Sequence, residues 1–192
     1  MPFSIQQGWL TPAHHRPSPF YNARPEGTEI DLLVIHNISL PPGQFGGPYI
    51  EHLFLGTLDP NAHPFFAAIA HLQVSAHLLI RRDGEVVQFV DFNQRAWHAG
   101  QSQFAGQSQC NDNAIGIELE GSDWVDYTEA QYRVLADVSH AILTEFQAIT
   151  PERITGHQYI APLRKTDPGL CFQWPRYRRE VKLRQRDASR NK

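Results

Sequence analysis

The sequence is short of cysteine, of net charge and of long apolar runs. Two cysteines in 192 residues, Cys110 and Cys171, are too few for a disulfide framework and fit a reducing compartment. A net charge of −3 gives no reason to expect a polyanionic partner for the whole molecule. No apolar stretch approaches the ~20 residues of a membrane span. Met1 to Gly8 carry neither the basic nor the apolar region of a signal peptide. Internal repeats and low-complexity linkers are missing, as is the helical His-x-x-x-His pair of many zinc enzymes. The expectation is a cytoplasmic protein with one domain over residues 1–192, its core running from about 8 to 183.

What is present is ordinary in amount and uneven in placement. Hydrophobic residues make up 41%, enough for a real core at this length. Residues 176–192 hold eight of the 17 Lys/Arg and two of the 20 Asp/Glu, a local surplus of six positive charges. A charge run at a terminus is usually a solvated helix end, and no aromatics interleave with this one as a nucleic-acid groove requires. The tail over 184–192 is therefore expected to fray. Ten histidines raise the prospect of metal or acid–base chemistry.

In chain order, residues 10–30 are rich in Pro, His, Asn and Gly and suggest an ordered loop. Asp31 to Asn37 is a short apolar run suited to a strand buried on both faces, ending on His36. A short helix is expected from Tyr49 to Leu55, stopped by Gly56. A second is expected from Pro64 to about Leu72, with Phe66, Ile69 and Ala70 inward. Ala76–Arg82 and Glu85–Val90 flank Asp83-Gly84, which predicts a hairpin with a type I′ turn. Arg95 to Gly100 suggests a loop exposing Trp97 beside His98, with a Gln-rich loop beyond it.

Ala114 to Gly121 predicts a strand sending Ile115, Ile117 and Leu119 one way and Gly116, Glu118 and Glu120 the other. A glutamate in mid-strand is costly if buried unpaired. Thr128-Glu129-Ala130-Gln131 is a capping box opening a helix with Val134, Leu135, Val138, Ile142 and Phe146 as its apolar stripe. Arg153 to His157 predicts a short strand ending on a second histidine, and Trp174-Pro175 leads into the basic helix. Strands and helices interleave while the hairpin is antiparallel. The expected class is therefore α/β (α+β), a central mixed β-sheet flanked by helices.

Chemistry concentrates where strands end. His36, His157 and Asp167, the last in the turn Asp167-Pro168-Gly169, make a His, His, Asp set that leaves one tetrahedral zinc position open, the catalytic rather than the structural form. Glu118 is the candidate to move a proton between water and a leaving nitrogen. Lys165 is the candidate to steady an oxyanion. On the residues alone, a buried histidine and an ordinary turn aspartate remain the alternative. His14, His15 and His63 are expected in loops, and His71 and His140 on helix surfaces. His77 is expected as a hydrogen-bonded interior histidine, and Cys171 as a small packed hydrophobe.

Longer stretches carry a resemblance. Leu33 to Gly43, Phe45-Gly46-Gly47-Pro48, Asp59 to Phe66, Val74-Ser75-Ala76-His77, Ala96 to Gly100, Cys110-Asn111-Asp112, Ile115 to Gly121 and Thr155 to Gly169 together resemble a family of zinc amidases. That family shares the fold of phage T7 lysozyme and of peptidoglycan recognition proteins, and the match is to its AmpD type, the cytosolic 1,6-anhydro-N-acetylmuramyl-L-alanine amidases of peptidoglycan recycling. The resemblance implies one Zn2+ per chain on His36, His157 and Asp167, with Glu118 and Lys165 catalytic. It places Asn37, Trp97 and His98 near the cleft. The implied reaction cuts the amide between the lactyl group of (1,6-anhydro-)N-acetylmuramic acid and L-alanine of a small muropeptide, with no nucleic-acid or membrane partner. Relatives acting outside the cytoplasm often carry Cys where this chain has Asp167. Gln73 and Gln109 stand where close relatives often have arginine, so the grip on a peptide carboxylate is expected to differ. A muropeptide receptor without turnover is the alternative on the same fold. The sequence leaves the oligomeric state open.

Overall fold

The computed structural model describes residues 2–190. Its N-terminal part carries four short strands, β1 (Ser4–Gln6), β2 (Trp9–Thr11), β3 (His14–His15) and β4 (Tyr21–Ala23), three of them reaching into the stretch expected to be loop. His14 and His15 are strand residues because β3 runs parallel to Val86–Gln88, a partner remote in sequence that no local pattern reveals. β5 (Leu32–Ile38) and α1 (Tyr49–Phe54) follow as expected, with Gly56 at φ +71 just beyond the helix.

The helix expected over Pro64–Leu72 is absent. One 3-10 turn at Phe66–Ala68 stands there, and His71 lies in a turn rather than on a helix. Nine residues fall below the length at which an isolated helix sustains itself, and of the expected inner face only Phe66 is fully buried while Ile69 and Ala70 are partly so. The hairpin of β6 (Leu78–Ile80) and β7 (Val86–Gln88) is present, but its turn is not type I′. Only Gly84 of the central pair has positive φ, the Gly84 N–H donates to the Arg81 carbonyl, and the Arg81 N–H donates to the Glu85 carbonyl. That is a type I turn closed by a glycine bulge. β8 (Gln94–Ala96) pairs with β4, and the Gln-rich stretch, expected as loop, holds the two-residue strands β9 (Gln103–Phe104) and β10 (Gln107–Ser108).

β11 (Ala114–Glu120) precedes α2 (Glu129–Glu145), whose capping box forms as expected: Thr128 Oγ1 accepts the Gln131 N–H and Gln131 Oε1 accepts the Thr128 N–H, both at 3.1 Å. β12 (Ile154–Gly156) runs into α3 (His157–Ile160), and α4 spans Trp174–Arg190. α4 continues through the stretch from residue 184 where fraying was expected; Arg184 ties it to Asp137 at 2.7 Å, and residues 191–192 of the expected tail lie outside the described residues. Cys171 is half-buried rather than packed away, as is His140, while Cys110 is buried.

The six-stranded sheet has the order β12-β5-β11-β6-β7-β3, with β12, β5, β11 and β6 parallel and β7 antiparallel to β6. Strand parity divides its faces. Leu33, Ile35, Ile115, Ile117 and Leu119 point to the side covered by α2 and α4, where Leu135, Val138, Ile142, Tyr177 and Val181 meet them. Each such aliphatic side chain contributes about 1.5–3 kcal/mol when fully buried. Leu32, Val34, Ala114 and Ile160 fill the opposite face. Among the described residues no helix is long and apolar enough to cross a membrane.

Candidate metal centre

The parallel register assembles the site. Glu118 of β11 lies directly across from His36 of β5, and Gly156 of β12 pairs with Ile35, so His157, one residue on, sits beside His36. Both central strands are hydrophobic on their α2 face, which forces His36 and Glu118 together onto the other face near the carboxyl ends of the parallel strands. That edge is where open α/β sheets place ligands. Gly116 makes room there: a Cβ on it would lie 2.5 Å from the His98 ring.

Three donor atoms converge at this edge. His36 Nδ1, His157 Nδ1 and Asp167 Oδ2 are separated by 3.0, 3.1 and 3.0 Å. Tetrahedral zinc with bonds of about 2.0–2.1 Å holds its ligands about 3.3 Å apart, so the triangle fits with slight expansion. His157 Nε2 lies 3.1 Å from the Ala99 carbonyl, which only accepts. The ring proton is therefore on Nε2, and His157 Nδ1 offers a bare lone pair. His36 Nε2 faces His98 Nδ1 at 2.9 Å, and His36 Nδ1 is bare in the same way when His98 carries its own proton on Nε2. Two imidazole lone pairs and a carboxylate oxygen in contact repel one another unless a cation lies between them. These residues could hold a metal ion.

The electrostatics agree. Burial pulls the His36 pKa down to about 4, against the opposing pull of Asp167. Burial works against ionisation of Asp167, but the close His157 and His36 rings outweigh it and hold its carboxyl below the usual range. Burial and then the charge of His36 keep His98 well below the ordinary histidine value. Glu118 goes the other way: burial, then Asp167, push it well above the usual carboxylate range, with Lys165 opposing. Glu118 is 9% exposed and its Oε2 has no hydrogen-bond partner among the described residues. An unspent carboxyl with a raised pKa beside a cleft is a proton-transfer candidate.

A cavity of about 410 Å³ opens beside the donors, lined by Glu118, His157, Lys165 and Asp167 together with Trp97, Phe65 and Leu72. A second of about 330 Å³, with Asp123, Trp124 and Arg164, shares Asn37, Lys165 and Asp167 with it, so the cleft continues across the site. A larger hollow of about 450 Å³ holds none of the donors; its Arg81 is paired with Glu51, Glu85 and Glu120.

The sequence-derived candidates thus meet at one place, with differences in detail. Trp97 is half-buried rather than exposed, stacked on Phe20 and donating its indole N–H to Asn22 Oδ1 at 2.6 Å. Asn37 donates to Asp123 Oδ1 at 2.8 Å. Gln73 and Gln109 are both exposed. His77 is interior as expected: its Nδ1 accepts the Gly116 N–H, and its Nε2 lies 3.1 Å from the Gln94 carbonyl. Sequence reasoning missed Asp123, Ser75 and the apolar wall of Phe65, Ile69 and Leu72. It also missed Arg24, which donates to the carbonyls of Phe92, Asn111, Asp112 and Ala114. An arginine serving four scattered carbonyls leaves no local signature.

Known proteins resemble this chain in sequence and fold. The N-acetylmuramoyl-L-alanine amidase family profile matches residues 26–170. A Citrobacter freundii relative, 1,6-anhydro-N-acetylmuramyl-L-alanine amidase AmpD, is 60% identical over 174 residues, covering 91% of this chain and 92% of its own. A crystal structure of a selenomethionine AmpD derivative superposes with a TM-score of 0.90 at 59% identity, over 92% of this chain and 98% of that one. The Escherichia coli amidase AmiD, in complex with the substrate anhydro-N-acetylmuramic acid-L-Ala-D-γ-Glu-L-Lys, gives a TM-score of 0.60 at 26% identity, over 93% of this chain and 65% of that chain. With three quarters of its length matched by one profile and a relative at 60% identity, the chain belongs to the N-acetylmuramoyl-L-alanine amidase family.

Proposed function

We propose that this protein is a zinc-dependent amidase of peptidoglycan recycling. It cuts the amide between the lactyl group of (1,6-anhydro-)N-acetylmuramic acid and the L-alanine of a small muropeptide. The observation that carries the reading is the triangle of His36, His157 and Asp167 donors beside Glu118, a buried carboxyl with an unpartnered oxygen. Two unbridged cysteines support a cytoplasmic setting.

His36, His157 and Asp167 hold the metal, and a bound zinc ion supplies Lewis acidity, polarising the scissile carbonyl and lowering the pKa of water. The chain's own residues do the rest. Glu118, as carboxylate, takes a proton from the attacking water as its oxygen bonds to the carbonyl carbon. The exposed Lys165 ammonium lining the cavity offsets the negative charge that develops on the carbonyl oxygen. Glu118 then gives its proton to the alanine nitrogen as the C–N bond breaks, leaving a lactyl carboxylic acid and a free peptide amine, which end as carboxylate and ammonium once the acid's proton passes to the amine. Trp97 and the apolar wall exclude water and orient the substrate, while Asn37, held by Asp123, faces both halves of the cleft.

The test is zinc per chain and release of free peptide from an anhydro-muramyl tripeptide, with and without chelator. About one zinc per chain with chelator-sensitive release is expected. Zinc without cleavage would leave a receptor of the same fold; the absence of both zinc and cleavage would overturn the proposal.

A further inference from the structure

A metal-binding imidazole that offers Nδ1 must keep its proton on Nε2, and that buried N–H needs an acceptor. For both rings the acceptors come from two consecutive residues. His36 Nε2 meets the Nδ1 of His98 at 2.9 Å, an acceptor when His98 carries its proton on the buried, unpartnered Nε2, and His157 Nε2 meets the carbonyl of Ala99 at 3.1 Å. A dipeptide can serve two rings that are 121 residues apart only if its own position is fixed.

One side chain fixes it. Asn111 Oδ1 accepts the His98 N–H at 3.1 Å and the Ala99 N–H at 2.7 Å. Asn111 is 6% exposed, and its own carbonyl is held by Arg24 at 3.2 Å. Arg164, itself exposed, adds a bond to the Ala99 carbonyl at 2.7 Å. Asn111 itself is neither a donor in the triangle nor part of the cavity wall.

We propose that Asn111 is a positioning residue of the metal centre, its single amide oxygen setting the orientation and tautomer of both histidine ligands through the His98–Ala99 dipeptide. The inference rests on the metal reading of the triangle. It assigns a job to a residue type: the site needs one acceptor with two lone pairs facing adjacent backbone N–H groups. Asparagine and aspartate both supply that, and leucine, of similar size, does not.

The experiment compares full-length wild type, Asn111→Leu and Asn111→Asp, each loaded with zinc. Zinc affinity is measured by competition with a chelating dye, and thermal unfolding is measured on the metal-free forms. Asn111→Leu is expected to bind zinc roughly 10–100-fold more weakly, the range for loss of an outer hydrogen-bond partner. Asn111→Asp should stay close to wild type. The slowly exchanging ring N–H signals of His36 and His157 should appear in zinc-loaded wild type and Asn111→Asp and vanish in Asn111→Leu. A loss of metal-free stability in Asn111→Leu with zinc affinity unchanged would mean a merely structural role and overturn the inference. So would an Asn111→Asp variant as weak as Asn111→Leu. If Asn111→Leu does not fold, His98→Leu, which leaves Asn111 in place, must weaken zinc binding; unaltered affinity there overturns the proposal. Wild type that binds no zinc would sink the metal reading itself, a result distinct from all of these.

Discussion

Glu118 and Glu120 stand two positions apart on one strand, on the same face and both buried, yet they live in opposite circumstances. Glu120 is spent: its Oε1 accepts the Gly46 N–H at 2.6 Å, its Oε2 accepts the Arg82 N–H at 3.1 Å, and Arg81 lies 3.6 Å away. Glu118 has an oxygen with no partner and a raised pKa, with Asp167 and Lys165 as its charged neighbours. The same residue type at the same burial is structural where hydrogen bonds saturate it. It is chemically available where they are withheld.

The largest expected effect separates the two by activity. Glu118→Gln should keep zinc and lose turnover by roughly 10²–10⁴-fold, whereas Glu120→Gln should turn over almost normally; steady-state rates with zinc content on the same samples check both. Near-normal rates in Glu118→Gln would remove it from the mechanism.

Stability should reverse the order. Glu120→Gln gives up a charge-assisted acceptor beside Arg81 and should cost about 1–3 kcal/mol, read as a lower denaturation midpoint. Glu118→Gln should instead stabilise the metal-free protein, in a pH-dependent way. A carboxyl whose folded pKa is raised contributes its stability below the unfolded value of about 4.3 and loses it as pH climbs toward the folded value. The advantage of Glu118→Gln should therefore be small near pH 4 and grow toward neutrality, by about 1.4 kcal/mol for each unit of displacement. A flat difference across that range would mean Glu118 titrates as an ordinary surface carboxylate.

The smallest effect lies far from both glutamates. Removing residues 185–192 leaves the Arg184 bonds to Asp137 and Glu180 intact. Removing Arg184 as well should cost a further ~0.2–1 kcal/mol with turnover unchanged. A strong loss of hydrolysis would give the basic helix a role in the site.

The contrast on β11 also shows what a sequence can and cannot disclose. Its alternation places Glu118 and Glu120 together on one face, and His36 was legible because the buried apolar run Leu32–Ile35 stops at it, two residues before β5 ends. Which glutamate was satisfied depended on Gly46 and Arg82, partners from other loops. β3 was hidden for the same reason, since its pairing is made only by the folded hairpin. Phe66, Ile69 and Ala70 show the opposite failure: helical spacing was present, but too few residues had a surface to bury against. At Asp83-Gly84 the residue pair predicted a turn correctly and its type wrongly, because only the glycine takes the positive φ. The Ala99 carbonyl had no side-chain signal at all.

The parallel register has a consequence for how the molecule is made. His36 is among the first residues of the sheet to be synthesised, and Asp167 follows 131 positions later. At roughly 5–20 residues per second, about 7–26 s separate the two on the ribosome. Both strands that flank β5 are translated after it, so the donors cannot meet until nearly the whole chain has emerged. Under the proposed metal reading, capture of the ion at this site would be a late event in the protein's biosynthesis, and a nascent chain ending before His157 would carry only His36 of the donor set.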